Sequence, residues 1–402
     1  MKTFFKTLCI SAAVLLGAGA TINQAQTAEK EWTFLIFLNA DNNLDRFGVG
    51  DVEEMKAVGS NDQFNLVVQF DRAYGRPCKR LFIKPGEAEV VEDMGEVDMG
   101  DKDVLTDFFA WGVENYPAKK YALVLWNHGS GWNKRDGNVI FKGISYDDQS
   151  GNHITTAQLG VALNTVRETL GRKLDILAFD ACLMQMVEVA YAIRENVDIM
   201  LASEDVEPGE GWAYTESMEP IAQNPAMTPA EAATVIVDTY DQSYNGGSQG
   251  NRSTTQSWVK LSEMDALMTA LNNAAAALTG NHTNEMKKTI KAVQKFYYRS
   301  NVDLIHFLEL MHEKIASGSS SSSTSQILST LSAAKNAAQN FVGHSAAHGN
   351  SMKNAYGVAI YAPGRGYSFS DKYSKLDFAK DSQWDEMLKA YYDRSNTTLE
   401  DL

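Results

Sequence analysis

Two residues with the chemistry of a covalent catalyst each follow an apolar stretch of the chain. His128 comes just after Tyr121–Trp126, and Cys182 comes just after Leu174–Phe179. A cysteine thiolate can attack a peptide carbonyl, and an imidazole can carry the protons that this attack moves. Cys182 also precedes a predicted helix, Met184–Glu195, whose positive end would lower the pKa of the thiol. The pair therefore indicates hydrolysis through a thiol.

The residue after the histidine is a glycine, which suits the same reaction. Because Gly129 has no side chain, its N–H is open to a substrate oxygen and can hold an oxyanion together with the N–H of Cys182. Such donors contribute on the order of 3 kcal/mol each. No third catalytic residue is evident, so the sequence predicts a dyad of His128 and Cys182. His153, in a predicted loop, is the nearest alternative base.

Alternating strand and helix patterns must position these residues. Strands are predicted at Trp32–Leu38, Phe64–Phe70, Tyr121–Trp126, Leu174–Phe179 and Asp198–Ala202, with helices between them and an edge hairpin at Lys79–Val91. Strands that are apolar throughout and alternate with helices are typical of a mainly parallel sheet between helical layers. Ligands bind such sheets at the carboxyl ends of the strands. We therefore expect His128 and Cys182 at the same rim.

The pattern divides the chain into a leader, a core and a helical remainder. Residues 1–20 carry Lys2 and Lys6, a short apolar run and Ala18-Gly19-Ala20, as a secretory signal peptide does. Residues 21–215 are predicted as one α/β core. Residues 216–402 are predicted as a mostly helical region that completes it, with a serine-rich linker at 317–325.

Charge and cysteine usage narrow the function further. The chain has 36 Lys and Arg residues against 51 Asp and Glu, a net charge of −15 that disfavours nucleic acid and favours cationic partners. No later apolar run is long enough to span a bilayer, so we expect an exported protein that is secreted, periplasmic or at the cell surface. Without Cys9, which lies in the leader, Cys78 and Cys182 remain, and their unlike surroundings favour free thiols over a disulfide.

Two sequence blocks resemble a known family. Trp126-Asn-His-Gly-Ser-Gly-Trp132 and Leu177-Ala-Phe-Asp-Ala-Cys-Leu-Met184 are similar to the clostripain family of cysteine peptidases, which shares a clan with caspases, gingipains and legumains. Further similar blocks are Gly143–Asp148 and Ala202–Trp212. The spacing of His128 and Cys182 is also close to the ~50 residues found in caspases. The resemblance implies a caspase-like three-layer sandwich and a cysteine endopeptidase.

The resemblance also implies cleavage of protein or peptide substrates after Arg or Lys. An acid two residues before the nucleophile, here Asp180, would bind the cationic side chain, with Ser203, Glu204 and Asp205 completing the pocket. Carboxylates suit the fixed donors of a guanidinium. Which acid between residues 204 and 210 lines the pocket is open, because Glu204, Asp205, Glu207 and Glu210 compete.

Self-cleavage is a further implication of the resemblance. Family members are often zymogens that cut themselves after a basic residue downstream of the catalytic histidine. Lys142–Gly143 is the favoured site, with Lys134 or Arg135 as alternatives. We expect the resulting light and heavy chains to remain associated.

The sequence predicts no cofactor and no metal. The stretch Asp41-Asn-Asn-Leu-Asp45 lacks the glycine and the final glutamate of an EF-hand loop, and it is interpreted as a helix cap. Family members differ in calcium dependence, and the sequence does not indicate which kind this is. Two other functions remain alternatives: a catalytically silent relative that binds basic peptides or a partner protein in its acidic crevice, and a serine hydrolase using Ser130 or Ser203.

Overall fold

The computed structural model describes residues 29–132, 134–136, 139–141, 143–318, 321–364 and 369–397. The strands are β1 (Lys30–Ala40), β2 (Phe64–Arg72), β3 (Arg76–Lys84), β4 (Glu87–Gly95), β5 (Ala118–Trp126), β6 (Lys134–Asp136), β7 (Val139–Phe141), β8 (Ile144–Asp147), β9 (Asn152–Ile154), β10 (Leu174–Asp180), β11 (Val197–Ala202), β12 (Asn245–Gly247), β13 (Gly250–Asn251), β14 (Thr254–Lys260), β15 (Asn301–Asp303), β16 (Val342–His348) and β17 (Ala359–Tyr361). The helices are α1 (Asp45–Val58), α2 (Lys102–Asn115), α3 (Thr156–Leu170), α4 (Val187–Ile193), α5 (Tyr214–Gln223), α6 (Pro229–Tyr244), α7 (Met264–Leu278), α8 (Thr283–Ala292), α9 (Leu304–Ala316), α10 (Ser322–Phe341), α11 (Asp377–Asp381) and α12 (Trp384–Thr397).

A nine-stranded mixed sheet forms the centre of the fold. Its strand order is β16-β14-β11-β10-β5-β1-β2-β3-β4. The five strands from β11 to β2 are parallel, and two antiparallel strands extend the sheet at each edge. The predicted parallel core and edge hairpin are therefore confirmed, and the antiparallel strands at both edges make the complete sheet mixed.

Helices cover both faces of the sheet, because the side chains of each central strand alternate between two cores. In β1, Leu35 and Phe37 pack with Phe108 of α2 and Leu163 of α3. Phe34, Ile36 and Leu38 lie on the other face, with Val52 of α1, Met218 of α5 and Ile236 of α6. The result is the expected three-layer α/β/α arrangement.

Local sequence signals set the starts of several helices. Thr155 and Gln158 form a reciprocal capping box at the start of α3, and Thr228 and Glu231 form another at α6. At α1 the expected cap is absent. Leu44 occupies the cap position without a side-chain cap, and Asp45 instead pairs with Arg72 and Arg76.

The structure differs from the sequence expectations in the second half of the chain. The strand β16 was not predicted, and with β14 it extends the same sheet, so residues beyond 215 share a sheet with the core. The serine-rich stretch is also not a linker throughout. Helix α10 begins at Ser322, and Ser321 caps it by accepting a hydrogen bond from the N–H of Thr324.

The predicted signal peptide lies within residues 1–28, which are outside the described residues. Among the helices that the structure describes, none combines the length and apolar character needed to cross a lipid bilayer.

The edge formed by β14 and β16 depends on a glycine. A Cβ atom added to Gly343 would lie 2.0 Å from the buried ring of Trp258. We expect Gly343→Ala to lower the free energy of unfolding by about 1–3 kcal/mol, measured by urea titration, because the ring has no room to move.

Gly50→Ala is the matched control, since a Cβ atom there would meet nothing within 4 Å. Gly50 lies inside α1, so the same substitution should raise the free energy of unfolding by about 0.5–1 kcal/mol. Equal effects of the two substitutions would contradict the packing at this edge of the sheet.

Candidate active site

Two neighbouring parallel strands carry His128 and Cys182 out of the sheet side by side. Strands β5 and β10 are hydrogen-bonded neighbours, and Trp126 pairs with Asp180 at their last residues. His128 and Cys182 each lie two residues beyond this pair. Beyond the ladder, the N–H of Asn127 still donates to the carbonyl oxygen of Asp180 at 3.3 Å. Both functional side chains therefore leave the sheet at the same level of the same rim.

Gly129 lies directly against the backbone of the cysteine. A Cβ atom at position 129 would be 2.3 Å from the carbonyl oxygen of Cys182, so no other residue fits there without a shift of the backbone. Gly129 also forms an isolated bridge with Ile144, in which the N–H of Ser130 donates to the carbonyl oxygen of Gly143 at 3.0 Å. The bridge uses the amide of Ser130, so it does not occupy the amide of Gly129.

Asn43 orients the ring of His128. Its Oδ1 lies 2.7 Å from Nε2 of the imidazole. With this oxygen as the acceptor, Nε2 carries the ring proton, and Nδ1 is the nitrogen of a neutral ring that can accept one. Asn43 lies in the turn after β1. The sequence signal for it is a run of Asn and Asp at the end of a buried strand, a pattern that by itself predicts only a helix cap.

The thiol of Cys182 is held beneath the chain that follows β11. The N–H of Glu207 donates to its Sγ at 3.3 Å. Burial, followed by the Glu207 carboxylate, raises the pKa of the Cys182 thiol to about 12. The expectation that a helix end lowers this pKa is wrong: α4 begins only at Val187, five residues beyond the cysteine. In this conformation the thiol is a poor nucleophile.

A buried cluster of acidic groups lies beside the cysteine. Asp180 ends β10, and its Oδ2 accepts hydrogen bonds from the hydroxyl of Tyr214 at 3.0 Å and the N–H of Trp212 at 3.3 Å. The carboxyl group of Glu207 lies beside that of Asp180. A Cβ atom on Gly211 would lie 2.8 Å from Asp180 Oδ1, so the glycine makes room for the carboxylate.

The electrostatics of this pocket follow from burial. Desolvation raises the pKa of Asp180 to about 6. Desolvation and the adjacent Asp180 carboxylate raise the pKa of Glu207 well above its usual range. Two carboxyl groups in a water-poor site share a proton because both cannot ionise cheaply. A bound cation would remove that penalty.

The other acids predicted for the pocket have different partners. The carboxyl group of Glu204 lies beside that of Asp303, and its Oε2 accepts from the N–H of Gly357 at 3.1 Å. Asp205 accepts from the N–H of Tyr297 at 2.7 Å. The hydroxyl of Ser203 lies 2.9 Å from that of Thr255. Of the acids that compete to line the predicted pocket, Glu207 is the one whose contacts place it beside Asp180.

The alternative nucleophiles and bases are engaged elsewhere. The hydroxyl of Ser130 is buried and lies 2.7 Å from that of Tyr146. The ring of His153 stacks on the ring of Tyr146. Cys78 is fully buried against Met99, and neither it nor Cys182 forms a disulfide, which confirms the expected free thiols.

The predicted self-cleavage site is described on one side only. Lys142 lies outside the described residues, as do the side chains of Lys134 and Arg135. Gly143 has a φ of 120°, a conformation that favours glycine, and a Cβ atom there would lie 2.0 Å from the carbonyl oxygen of Ile154. Its N–H donates to Ser130 Oγ at 3.0 Å, so the residue after Lys142 is anchored to the loop that carries His128.

A cysteine and a histidine at the carboxyl rim of an α/β/α sandwich are the arrangement of caspase-like cysteine peptidases. Within that class, the sequence profile of the Clostripain family matches residues 36–391, and the chain belongs to this family. The family expected from the sequence is thereby confirmed.

One relative agrees with this assignment. Clostripain from Hathewaya histolytica is 31% identical over 221 residues, which cover 47% of this chain and 42% of that protein. The chain thus spans less than half of the length of this relative.

Solved structures support the fold. A secreted C11 cysteine protease from Bacteroides thetaiotaomicron, solved with an irreversible peptide inhibitor, superposes with a TM-score of 0.68 at 24% identity, covering 88% of this chain and 99% of that chain. An inactive zymogen C11 protease from Parabacteroides distasonis gives 0.65 at 20% identity, covering 88% and 98%. The caspase-like fold is therefore confirmed.

The shared proton of Asp180 and Glu207 makes stability depend on pH. Because both folded pKa values are raised, their stabilising contribution is complete at acidic pH. The contribution of Asp180 is lost as pH rises through about 6, and that of Glu207 as pH rises through its own raised pKa. Each proton that only the folded state retains lowers stability by about 1.4 kcal/mol per pH unit. Between pH 5 and 8, we expect urea unfolding of Cys182→Ala protein to show a larger loss of stability than Cys182→Ala/Glu207→Gln protein, by about 2 kcal/mol or more.

Glu210→Gln is the control for this experiment, because Glu210 forms an ion pair with Arg252 instead. It should keep the pH dependence of the parent protein. The same pH dependence in the Glu207 variant would show that the two carboxyl groups do not share a proton.

Proposed function

We propose that this protein is an endopeptidase that uses Cys182 and His128 to cleave peptide bonds after Arg or Lys. The observation that carries the proposal is the pairing of Trp126 with Asp180 at the ends of adjacent parallel strands. This pairing places the imidazole and the thiol at the same edge of the sheet. A single substrate carbonyl can reach both groups there.

The reaction assigns a task to each group at the rim. The thiolate of Cys182 attacks the carbonyl carbon, and the N–H groups of Gly129 and Cys182 hold the resulting oxyanion. His128 takes the thiol proton at Nδ1 and delivers it to the leaving amine. Water then hydrolyses the thioester. Asn43 is a positioning residue, since its Oδ1 lies 2.7 Å from Nε2 and fixes the orientation of the ring.

Specificity for a cation rests on Asp180, with Glu207 as its partner. Both are buried, share a proton and lie next to Cys182 through the Glu207 amide. A guanidinium or ammonium group entering this pocket would displace the shared proton and pair with the two carboxylates. Glu204 and Asp205 are poorer candidates for this role, because their carboxylates contact Asp303 and Tyr297.

Activation by self-cleavage at Lys142–Gly143 is supported by the state of the thiol. With its pKa raised to about 12, Cys182 is almost entirely protonated at neutral pH. Movement of the chain around Glu207 that exposes Sγ to water and withdraws the Glu207 carboxylate would lower that pKa, since burial and this carboxylate are what raise it. A cut before Gly143 would break the chain next to the residue whose N–H donates to Ser130 Oγ in the loop that carries His128.

The two products of such a cut would stay together. Strand β5 of the light chain pairs with β10 of the heavy chain inside the sheet. The first residues after the cut are also tied down, since the side-chain amides of Asn42 and Asn127 donate to the carbonyl oxygen of Tyr146 at 3.0 and 2.9 Å. Export of the protein through the predicted signal peptide at residues 1–20 is part of the proposal.

The specificity pocket can be tested with fluorogenic peptides ending in Arg or Lys. We expect iodoacetamide to abolish hydrolysis and Asp180→Asn to lower kcat/KM by about 100-fold or more, because a buried charged pair is worth roughly 2–5 kcal/mol. Glu207→Gln should also lower kcat/KM. Glu204→Gln, the matched control, should keep kcat/KM within about threefold.

The outcomes separate the alternatives. Hydrolysis that survives alkylation of the thiol would contradict the cysteine mechanism and favour a serine hydrolase. A fully processed protein that binds such peptides without turnover would identify a silent relative. A loss in Glu204→Gln equal to that in Asp180→Asn would place the pocket elsewhere.

Self-cleavage can be tested by electrophoresis and N-terminal sequencing. We expect the wild-type protein to give two fragments, one beginning at Gly143, whereas Cys182→Ala and Lys142→Ala each remain a single chain. Replacement of Lys134 and Arg135 by alanine is the control and should leave the cut in place. Fragments of the same size from the Cys182→Ala protein would rule out self-cleavage.

A further inference from the structure

An exposed aromatic side chain lies beside the chain that follows β11. Tyr297, in the loop between α8 and β15, is 65% exposed. Its ring meets the ring of the half-buried Tyr298 edge to face, with the two ring centroids 5.1 Å apart. The other large hydrophobic side chains that are exposed among the described residues lie in the β2–β3 turn, in β4 and in α3. We call Tyr297 and Tyr298 the tyrosine pair.

Asp205 fixes the tyrosine pair to the active rim. Its buried carboxylate accepts hydrogen bonds from the N–H of Tyr297 at 2.7 Å and from the N–H of Val206. Its carbonyl oxygen accepts from the N–H of Leu183, the residue after Cys182, at 3.0 Å. A single residue therefore joins the loop of the tyrosine pair to the loop of the nucleophile.

The loop that carries the tyrosine pair is itself braced by backbone hydrogen bonds. The N–H of Asn301 donates to the carbonyl oxygen of Tyr298 at 2.7 Å, and the carbonyl oxygen of Asn301 accepts from the N–H of Phe296 at 3.2 Å. The carbonyl oxygen of Ser300 accepts from the N–H of Ala362 at 2.8 Å. A ring held on such a loop loses little conformational freedom when a ligand packs against it.

The order of the strands at the rim indicates which part of a substrate reaches the tyrosine pair. His128 follows β5, Cys182 follows β10 and Asp205 follows β11, and these strands are adjacent in that order. The leaving amine takes its proton from His128, so the downstream part of the peptide lies on the β5 side. The acyl part stays bonded to Cys182, and its upstream residues are directed to the β11 side, where Tyr297 lies.

We propose that the tyrosine pair is a subsite for an apolar or aromatic side chain of the substrate, at the second or third residue counted back from the cleaved bond. The inference rests on the proposed peptidase function. An extended peptide advances about 3.3 Å per residue, so these residues pass the segment after β11 when the basic side chain is bound at Asp180. Two rings inclined at 74° offer a face and an edge, against which aromatic and branched apolar side chains pack.

The test compares three fluorogenic peptides that end in Arg and carry Ser-Ser, Ser-Phe or Phe-Ser before it. We expect the self-processed wild-type protein to cleave at least one Phe peptide with a kcat/KM about 3–10-fold above that for the Ser-Ser peptide, because aromatic packing contributes on this scale. In Tyr297→Ala this advantage should fall below about twofold, mainly through a higher KM, since the ring does not touch the reacting bond.

Tyr74→Ala is the matched control. Tyr74 is 84% exposed in the turn between β2 and β3, on the far side of β5 from β11, and its substitution should leave the preference for Phe unchanged. Tyr297→Phe is the conservative variant, and it should also retain the preference because a phenyl ring packs in the same way.

Three outcomes would overturn the subsite: no preference for Phe in the wild-type protein, a preference that survives Tyr297→Ala, or an equal loss on all three peptides in that variant. None of them affects the peptidase proposal, because the Ser-Ser peptide is still hydrolysed by the wild-type protein in each case. Absence of hydrolysis of all three peptides by the wild-type protein would instead overturn both proposals.

Discussion

The active rim depends on the pairing of two parallel strands. Hydrogen bonds between β5 and β10 align Trp126 with Asp180. These hydrogen bonds hold the two strands roughly 4.8 Å apart. Every later feature of the site follows from that alignment: the loop with His128 and Gly129 faces the loop with Cys182, and the Cβ position of Gly129 is filled by the Cys182 carbonyl oxygen. The dense cores on both faces of the sheet hold the alignment rigidly.

Buried carboxyl groups are the second constraint on this molecule. Asp180 with Glu207, Glu204 with Asp303, and Asp41 with Asp71 place like groups together in a region of low dielectric. Each set joins segments that are distant in the chain, such as the loop after β11 and the start of α9. The pKa of each of these groups is raised, so protons or cations must accompany them. Part of the excess of acidic residues in the sequence thus lies in buried contacts between carboxyl groups.

The thiol and the acidic pocket are linked by one short segment. Glu207 donates its backbone N–H to the sulfur of Cys182, and its carboxyl group lies beside that of Asp180. A change in this segment therefore alters the nucleophile and the cation-binding group together.

The amino-acid sequence by itself determined the strand and helix order of the core, the family and the two candidate catalytic residues, because these depend on local periodicity and on short contiguous blocks. It did not indicate β16, whose residues are only partly buried and lack a clear alternation. It placed a helix end at Cys182, although the chain takes an irregular turn with Leu183 at a φ of 65° before α4 begins. Tertiary structure alone decided which acids meet, since Asp180 and Glu207, or Asp41, Asp71 and Glu96, come together through strand order and loop packing. Contacts between residues far apart in the chain leave no periodic trace, and this is why the partners of His128 and Asp180 emerged only from the folded protein.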